Sequence, residues 1–257
     1  MQHWFRLSMF ALAAFLISVV TSIKAESLPR TVLKIKPSIV GVGTFMPTRS
    51  PQNLFVGTGF VVANGQYIVT NAHVVAKKLE SDRLEQWAIY VTKNNKPKLA
   101  YVQKIIVDTV HDIAILKLIK GRLPALKLAS SPVQEGKLYA FTGYPIGMIL
   151  GLYPVTHRGI ISAISPVAIP AYNSSKLDAN LIGRLRDPFL VYQLDATAYP
   201  GNSGSPLYDV ETGDVIGVIN KVFVKESKEN VLSKPSGITY AIPIKHVKAL
   251  LRNKGLY

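Results

Sequence analysis

Cysteine is absent from the 257 residues. That excludes disulfides, thiol nucleophiles and zinc–thiolate sites. Acidic residues are scarce: 15 Asp and Glu stand against 30 Lys and Arg, a formal charge of +15. A surface so basic favours anionic partners but says nothing about fold. Charged residues make up only 18% of the chain and hydrophobic ones 48%, which excludes intrinsic disorder and coiled coil. There is no Walker loop, no zinc-binding helix pair and no EF-hand loop, so neither a cofactor nor a metal is expected. What is present is a chain long enough to bury a core without staples. Its 18 Gly and 16 Pro make it rich in turns.

The first residues read as a targeting segment. Met1–Arg6 is short and basic, and Leu7–Ile23 runs without a charge. Residues 1–25 therefore read as an export signal cleaved near Ala25 or Ser22. The less favoured alternative is an uncleaved membrane anchor, since the run lies at the lower limit for a span. Export places the mature chain in the periplasm or outside the cell. Without Arg6 and Lys24 the charge of +15 falls to +13. Small secreted domains usually rely on disulfides, so this one must be held by its core.

Residues 26–36 form a lead-in. From Ser38 the chain is a series of short apolar runs cut by turn residues, among them Gly59-Phe60-Val61-Val62, Ile113-Ala114-Ile115-Leu116 and Val215-Ile216-Gly217-Val218-Ile219. Many such runs at short spacing predict an all-β sandwich or barrel. A break over Leu123–Gln134 divides them into two groups, giving two packed β-barrels over about 37–125 and 135–242. Residues 243–253 carry Ile244, Val247, Leu250 and Leu251 at helical spacing behind a proline, which predicts a docked C-terminal helix. Ala72–Leu79 reads as a single helical turn, and 166–187 as a long loop.

Ser203 lies in Pro200-Gly201-Asn202-Ser203-Gly204-Ser205-Pro206, a tight turn before a strand. Acyl transfer needs an exposed hydroxyl on such a turn, with backbone N–H groups aimed at the developing oxyanion. Gly201 is free to turn its N–H toward the same hole as that of Ser203. An ordinary Gly/Ser turn is the plainer reading. A serine also needs a base. Of the five histidines, His3 falls in the signal, His157 and His246 sit beside Arg158 and Lys245 and read as surface residues, and His111 adjoins Asp112 in a turn. His73 follows an apolar strand in a turn of small residues, the placement a general base requires. Asp112 enters the apolar run 113–116, where an unpaired carboxylate is costly. Asp108 is its rival, and Asp195 reads as a brace for the serine loop.

Gly57-Thr58-Gly59-Phe60 with Thr70-Asn71-Ala72-His73-Val74-Val75, then His111-Asp112-Ile113-Ala114-Ile115-Leu116, then Gly201-Asn202-Ser203-Gly204 resemble, in order, the three catalytic motifs of trypsin-like serine proteases. The HtrA/Deg branch is the nearest, and Gly143-Tyr144-Pro145-Ile146-Gly147, His157–Ala163 and Tyr240–Ile244 agree with it. The resemblance covers about residues 38–252. It implies two six-stranded barrels with the site between them. It makes His73 the general base, Asp112 its orienter, Ser203 the nucleophile, and Gly201 with Ser203 the oxyanion donors. Ser205 departs from the branch: HtrA/Deg proteases usually carry glycine there, and Gly-Asn-Ser-Gly-Ser-Pro is the version seen in glutamyl endopeptidases. PDZ domains, which usually follow in that branch, have no counterpart in the 37–257 domain.

The same resemblance puts the floor of the primary substrate pocket at Thr197, with Ile219 and Lys221 beside it. Thr197 offers no carboxylate for Arg or Lys, and Ile219 replaces the histidine that glutamyl specificity uses. The expectation is an exported serine endopeptidase cutting after small aliphatic residues in unfolded polypeptides. The competing reading is a catalytically weak protease-like binding or chaperone-type protein. Lys77-Lys78, Lys93/Lys96/Lys98, Arg184/Arg186 and Lys221/Lys225/Lys228 read as solvated faces, without the aromatic interleaving of a nucleic-acid module. No nucleic acid partner is expected, whereas the charge allows contact with an anionic envelope surface. Homo-oligomerisation stays open.

Overall fold

A computed structural model describes residues 27–93, 96–145, 153–167, 188–220 and 237–256. The signal segment and nearly all of the loop over 166–187 lie outside them. The chain begins with a helix, α1 (Ser27–Ile35). Six strands follow: β1 (Ile39–Phe45), β2 (Asn53–Val62), β3 (Tyr67–Thr70), β4 (Gln86–Lys93), β5 (Lys96–Asp108) and β6 (Ile113–Leu118). A second six are β7 (Leu138–Gly143), β8 (Val155–Pro166), β9 (Leu190–Asp195), β10 (Pro206–Asp209), β11 (Val215–Asn220) and β12 (Ile238–Pro243). The helix α2 (Ile244–Asn253) closes the fold. Each set of six makes a closed barrel, in the orders β1-β2-β3-β6-β5-β4 and β10-β11-β12-β9-β8-β7. The all-β, two-barrel expectation is met.

The apolar runs are continuous because their strands are buried on both faces. In β6, Ala114 and Leu116 face the interior of barrel one with Val42, Ile68 and Trp87. Ile113 and Ile115 face the other way, into a cluster shared with Tyr144, Tyr208, Val218 and Ile242 of barrel two. In β11, Val218 joins that shared cluster, while Ile219 points into barrel two with Phe141, Leu194 and Leu207. One apolar layer thus joins the two barrels, and any groove at its rim is lined from both sides.

The stretch between the barrels is tied to each of them. Leu126 donates to the Val61 carbonyl at 2.8 Å and Ala129 to the Val215 carbonyl at 2.8 Å. α2 buries Val247 and Leu251 in the shared cluster, as its spacing predicts. It starts one residue later than expected, with Pro243 as the residue before its first turn. The turn expected over 72–79 is a short 3-10 turn, His73–Val75. α1 was not expected within the lead-in. It docks through Ile35, 1% exposed, and through Thr31 Oγ1 donating to the Glu211 carbonyl at 3.3 Å. Among the described residues no helix is long and apolar enough to cross a membrane.

Candidate active site

β3 is four buried residues long, and the chain leaves it through Asn71 and Ala72 into the 3-10 turn that starts at His73. β6 begins one residue after Asp112. Because β3 and β6 are paired neighbours, His73 and Asp112 emerge side by side at one end of barrel one. His73 Nδ1 lies 2.6 Å from Asp112 Oδ2. The His73 backbone N–H donates to Asp112 Oδ1 at 2.9 Å. Asn220 Nδ2, from the end of β11, donates to Asp112 Oδ2 at 2.7 Å. The Asp112 carbonyl accepts from Ala72 N–H at 3.2 Å and from Asn71 Nδ2 at 3.0 Å.

With Asp112 accepting on both oxygens, Nδ1 of His73 is the donor, and a neutral ring then has a bare Nε2. The Asp112 side chain is 10% exposed and that of His73 31%, so the imidazole is the more accessible of the two. Asp112 has φ +53°, a left-handed conformation that aspartate tolerates better than most residues.

Ser203 sits in the loop from β9 to β10 and is 7% exposed. The loop is laced to its neighbours. Gly204 N–H donates to the Ile219 carbonyl at 2.9 Å and Ile219 N–H to the Ser205 carbonyl at 2.9 Å. Asn202, Gly204 and Ser205 all donate their backbone N–H to carbonyls. Among the described residues, the N–H groups of Gly201 and Ser203 do not. Gly201 and Gly204 have φ of +97° and +87°, which only glycine adopts freely. At Gly204 a Cβ would also collide with the Thr58 carbonyl.

Thr58 of β2, fully buried, fastens this loop to barrel one. Its N–H donates to the Ser203 carbonyl at 2.9 Å and its Oγ1 to the Gly201 carbonyl at 2.6 Å. The same hydroxyl accepts from Tyr144 N–H at 3.0 Å. Thr70 Oγ1 donates to the Thr58 carbonyl at 2.7 Å. The tethering roles of Thr58 and Asn220 are not among the expectations from sequence. Each is a polar residue at an apolar strand position, and that was the available signal.

Thr197 is half-buried. Ile219 is fully buried in the interior of barrel two, in one cluster with Ala198 and Phe141. Lys221 lies outside the described residues. His157 and His246 are half-buried and not fully on the surface, and among the described residues the buried Nε2 of each has no hydrogen-bond partner. Cross-strand pairing puts His157 opposite Phe141, and their rings stack at 4.9 Å. The His157 ring is 6.1 Å from that of Tyr199 in the serine loop. Burial holds the His157 imidazole below its usual range, so it presents a neutral ring. The rival Asp108 is engaged elsewhere, with His111 Nδ1 at 2.7 Å from its Oδ2. Asp195 is exposed. Among the described residues no group of acidic and histidine side chains is placed to hold a metal.

Comparison with known proteins agrees with the two-barrel fold. A family model described as "Trypsin-like peptidase domain" matches residues 57–218. A Halomonas elongata protein named "Probable periplasmic serine endoprotease DegP-like" is 32% identical over 211 residues, covering 80% of this chain and 37% of that one. Human "Serine protease HTRA4" is 31% identical over 224 residues, covering 85% of this chain and 39% of that one. The chain thus spans about two fifths of the length of these relatives. Among solved structures, the active form of the Rv3671c protease from M. tuberculosis superposes with a TM-score of 0.62 at 24% identity, covering 88% of this chain and 85% of that one. Its Ser343Ala inactive form gives 0.61 at 22% identity, covering 88% and 92%.

Proposed function

The chain belongs to the trypsin-like peptidase domain family, with HtrA/DegP relatives, and on that premise we propose that it is an exported serine endopeptidase in which His73, Asp112 and Ser203 act as one triad. The observation that carries the reading is the 2.6 Å contact between His73 Nδ1 and Asp112 Oδ2. It leaves Nε2 as the ring's only proton acceptor.

Nε2 takes the proton of Ser203 Oγ as Oγ bonds to the substrate carbonyl carbon. The carbonyl π electrons move onto oxygen, and the N–H groups of Gly201 and Ser203 receive that oxyanion. Asp112 keeps its charge and steadies the imidazolium without taking a proton. When the oxyanion re-forms the carbonyl, the C–N bond breaks and the leaving amine collects the proton from Nε2. Water then attacks the acyl-enzyme by the same steps, releasing the acid and restoring Ser203.

Thr197, half-buried in the serine loop, offers a primary pocket floor without a carboxylate, whereas Ile219 is packed inside barrel two and takes no part in the pocket surface. An apolar side chain gains by burial there, whereas a charge would need a partner. The substrates proposed are unfolded polypeptides cut after Val, Ala or Leu. The periplasmic name of the Halomonas relative supports export through residues 1–25. The test is fluorophosphonate labelling with casein cleavage. Wild type should label at Ser203, and Ser203→Ala and His73→Ala should each lose about 10⁴-fold or more in kcat/KM, with the double variant losing little beyond that. Near-full casein cleavage by Ser203→Ala would sink the reading. A peptide-library profile dominated by Arg, Lys or Glu before the cut would refute the pocket assignment alone.

A further inference from the structure

We propose that His111 is a positioning residue for Asp112, held in place by a stacked ring pair with His246 that locks barrel one against barrel two. The inference rests on the reading of Asp112 as the triad carboxylate.

Three segments meet at this point. Asp108 ends β5 and caps the turn that follows: its Oδ1 accepts from Val110 N–H at 3.0 Å and from His111 N–H at 3.1 Å. Its Oδ2 accepts a hydrogen bond from His111 Nδ1 at 2.7 Å. One face of the His111 ring lies on His246 of α2, 4.0 Å between centroids and 29° between planes. Phe189, just before β9, closes on both rings, at 4.8 Å from His111 and 5.3 Å from His246. Among the described residues the buried Nε2 of His246 has no hydrogen-bond partner. The ring packs by its surface, against His111 and Phe189.

This clamp bears on Asp112 in two ways. His111 is joined to Asp112 by a peptide bond, and Asp112 has φ +53°. Aspartate tolerates this left-handed conformation better than most residues, but it still carries a cost that the neighbouring contacts must offset. Asp112 also depends on the other barrel, because one of its donors is Asn220 of β11. His246 and Phe189 belong to the barrel-two half, as Asn220 does, so the stack fixes the relative placement on which that hydrogen bond depends. A displacement near 1 Å at a catalytic group can cost about 100-fold in rate. The charged and titratable groups around the pair are Asp108, Lys245 and Asp112 itself, with His73 beyond.

The experiment uses the full chain with His246→Ala, His246→Phe and His111→Gln. Each is measured for kcat and KM on a chromogenic peptide, for the pH profile of kcat/KM, for fluorophosphonate labelling rate and for Tm. His246→Ala should lower kcat about 10-fold with KM within about twofold. It should also move the acid limb of the profile to lower pH, because a displaced Asp112 stabilises the His73 imidazolium less. His246→Phe, which keeps the stacked surface, should restore both readouts. His111→Gln keeps a side-chain donor near Asp108 but loses the ring, and should follow His246→Ala, which covers the case in which that variant does not fold. Unchanged kcat and pH profile in His246→Ala or His111→Gln would overturn the proposal, as would His246→Phe falling as far as His246→Ala. A wild-type chain that takes no fluorophosphonate refutes the triad reading and this inference with it. A labelled wild type with unaffected variants refutes the inference alone.

Discussion

Asn220 and Thr58 each make polar contacts that join residues of the proposed catalytic site in one barrel to the other. Asn220 donates to a nearly buried carboxylate, and a hydrogen bond to a charged group contributes about 1.5–3 kcal/mol. Asn220→Ala should therefore lower kcat by roughly 10- to 100-fold while fluorophosphonate still labels Ser203 at a reduced rate. Thr58→Val keeps the shape of the side chain but strands two buried groups, the Gly201 carbonyl and the Tyr144 N–H. It should cost about 1–3 kcal/mol in urea unfolding and lower kcat more than it changes KM, because Gly201 is the partner set loose. An unaltered kcat in Thr58→Val would mean that the serine loop holds its shape without barrel one.

At the scale of elements, the stretch from the His73–Val75 turn to β4 is pinned by one buried carboxylate. Glu85 is 2% exposed. It accepts from Thr44 Oγ1 at 2.6 Å, Arg49 at 2.8 Å, Lys77 at 2.7 and 2.8 Å and Glu80 N–H at 3.1 Å. Burial by itself would raise its pKa. The hydrogen bonds from Lys77, Thr44, the Glu80 N–H and Arg49 outweigh burial and bring it down to about 2. Lys77, expected on a solvated face, is part of this anchor. Glu85→Ala should destabilise by about 1–3 kcal/mol, seen as a lower urea midpoint. Its cations are partly exposed and can rehydrate, which limits the loss.

For the whole molecule, acid should weaken the fold in two separate windows. Burial first, then the charges of His111 and Lys245, press the pKa of His246 down to about 4 from 6.5, against a smaller pull from Asp108. Between those values the unfolded chain binds a proton that the native chain does not, so stability falls as pH drops from 6.5 to about 4 and this contribution is flat below. Burial also lowers the pKa of His157, so it adds to the loss of stability that begins as pH drops below 6.5. Glu85 acts lower: its contribution is complete above 4.5 and is lost as pH falls toward about 2. Urea midpoints measured against pH should show both limbs. His246→Phe should flatten the upper limb in part, leaving the share of His157, and Glu85→Gln should remove much of the lower. An upper limb unchanged in His246→Phe would show that His246 titrates alike in both states.

The linear chain by itself determined the strands, their division into two groups, the terminal helix face and the ordered candidates His73, Asp112 and Ser203. Those features are local: a run of β-branched residues, a helical spacing or a glycine-flanked serine is written in consecutive residues. α1 escaped notice because nine residues with a proline near the start carry too short a pattern, and its burial depends on the distant Glu211 turn. Only tertiary structure decided where the polar side chains end. Asn220 and Asp112 are 108 residues apart, and nothing local directs an amide at the end of β11 to a carboxylate before β6. His157 and His246, each beside a cation in the sequence, turned inward. Strand register set His157 against Phe141, and the docking of α2 set His246 against His111. A side chain's neighbours across an interface follow from how two closed barrels pack, and that packing is the sum of many apolar contacts with no single residue to announce it.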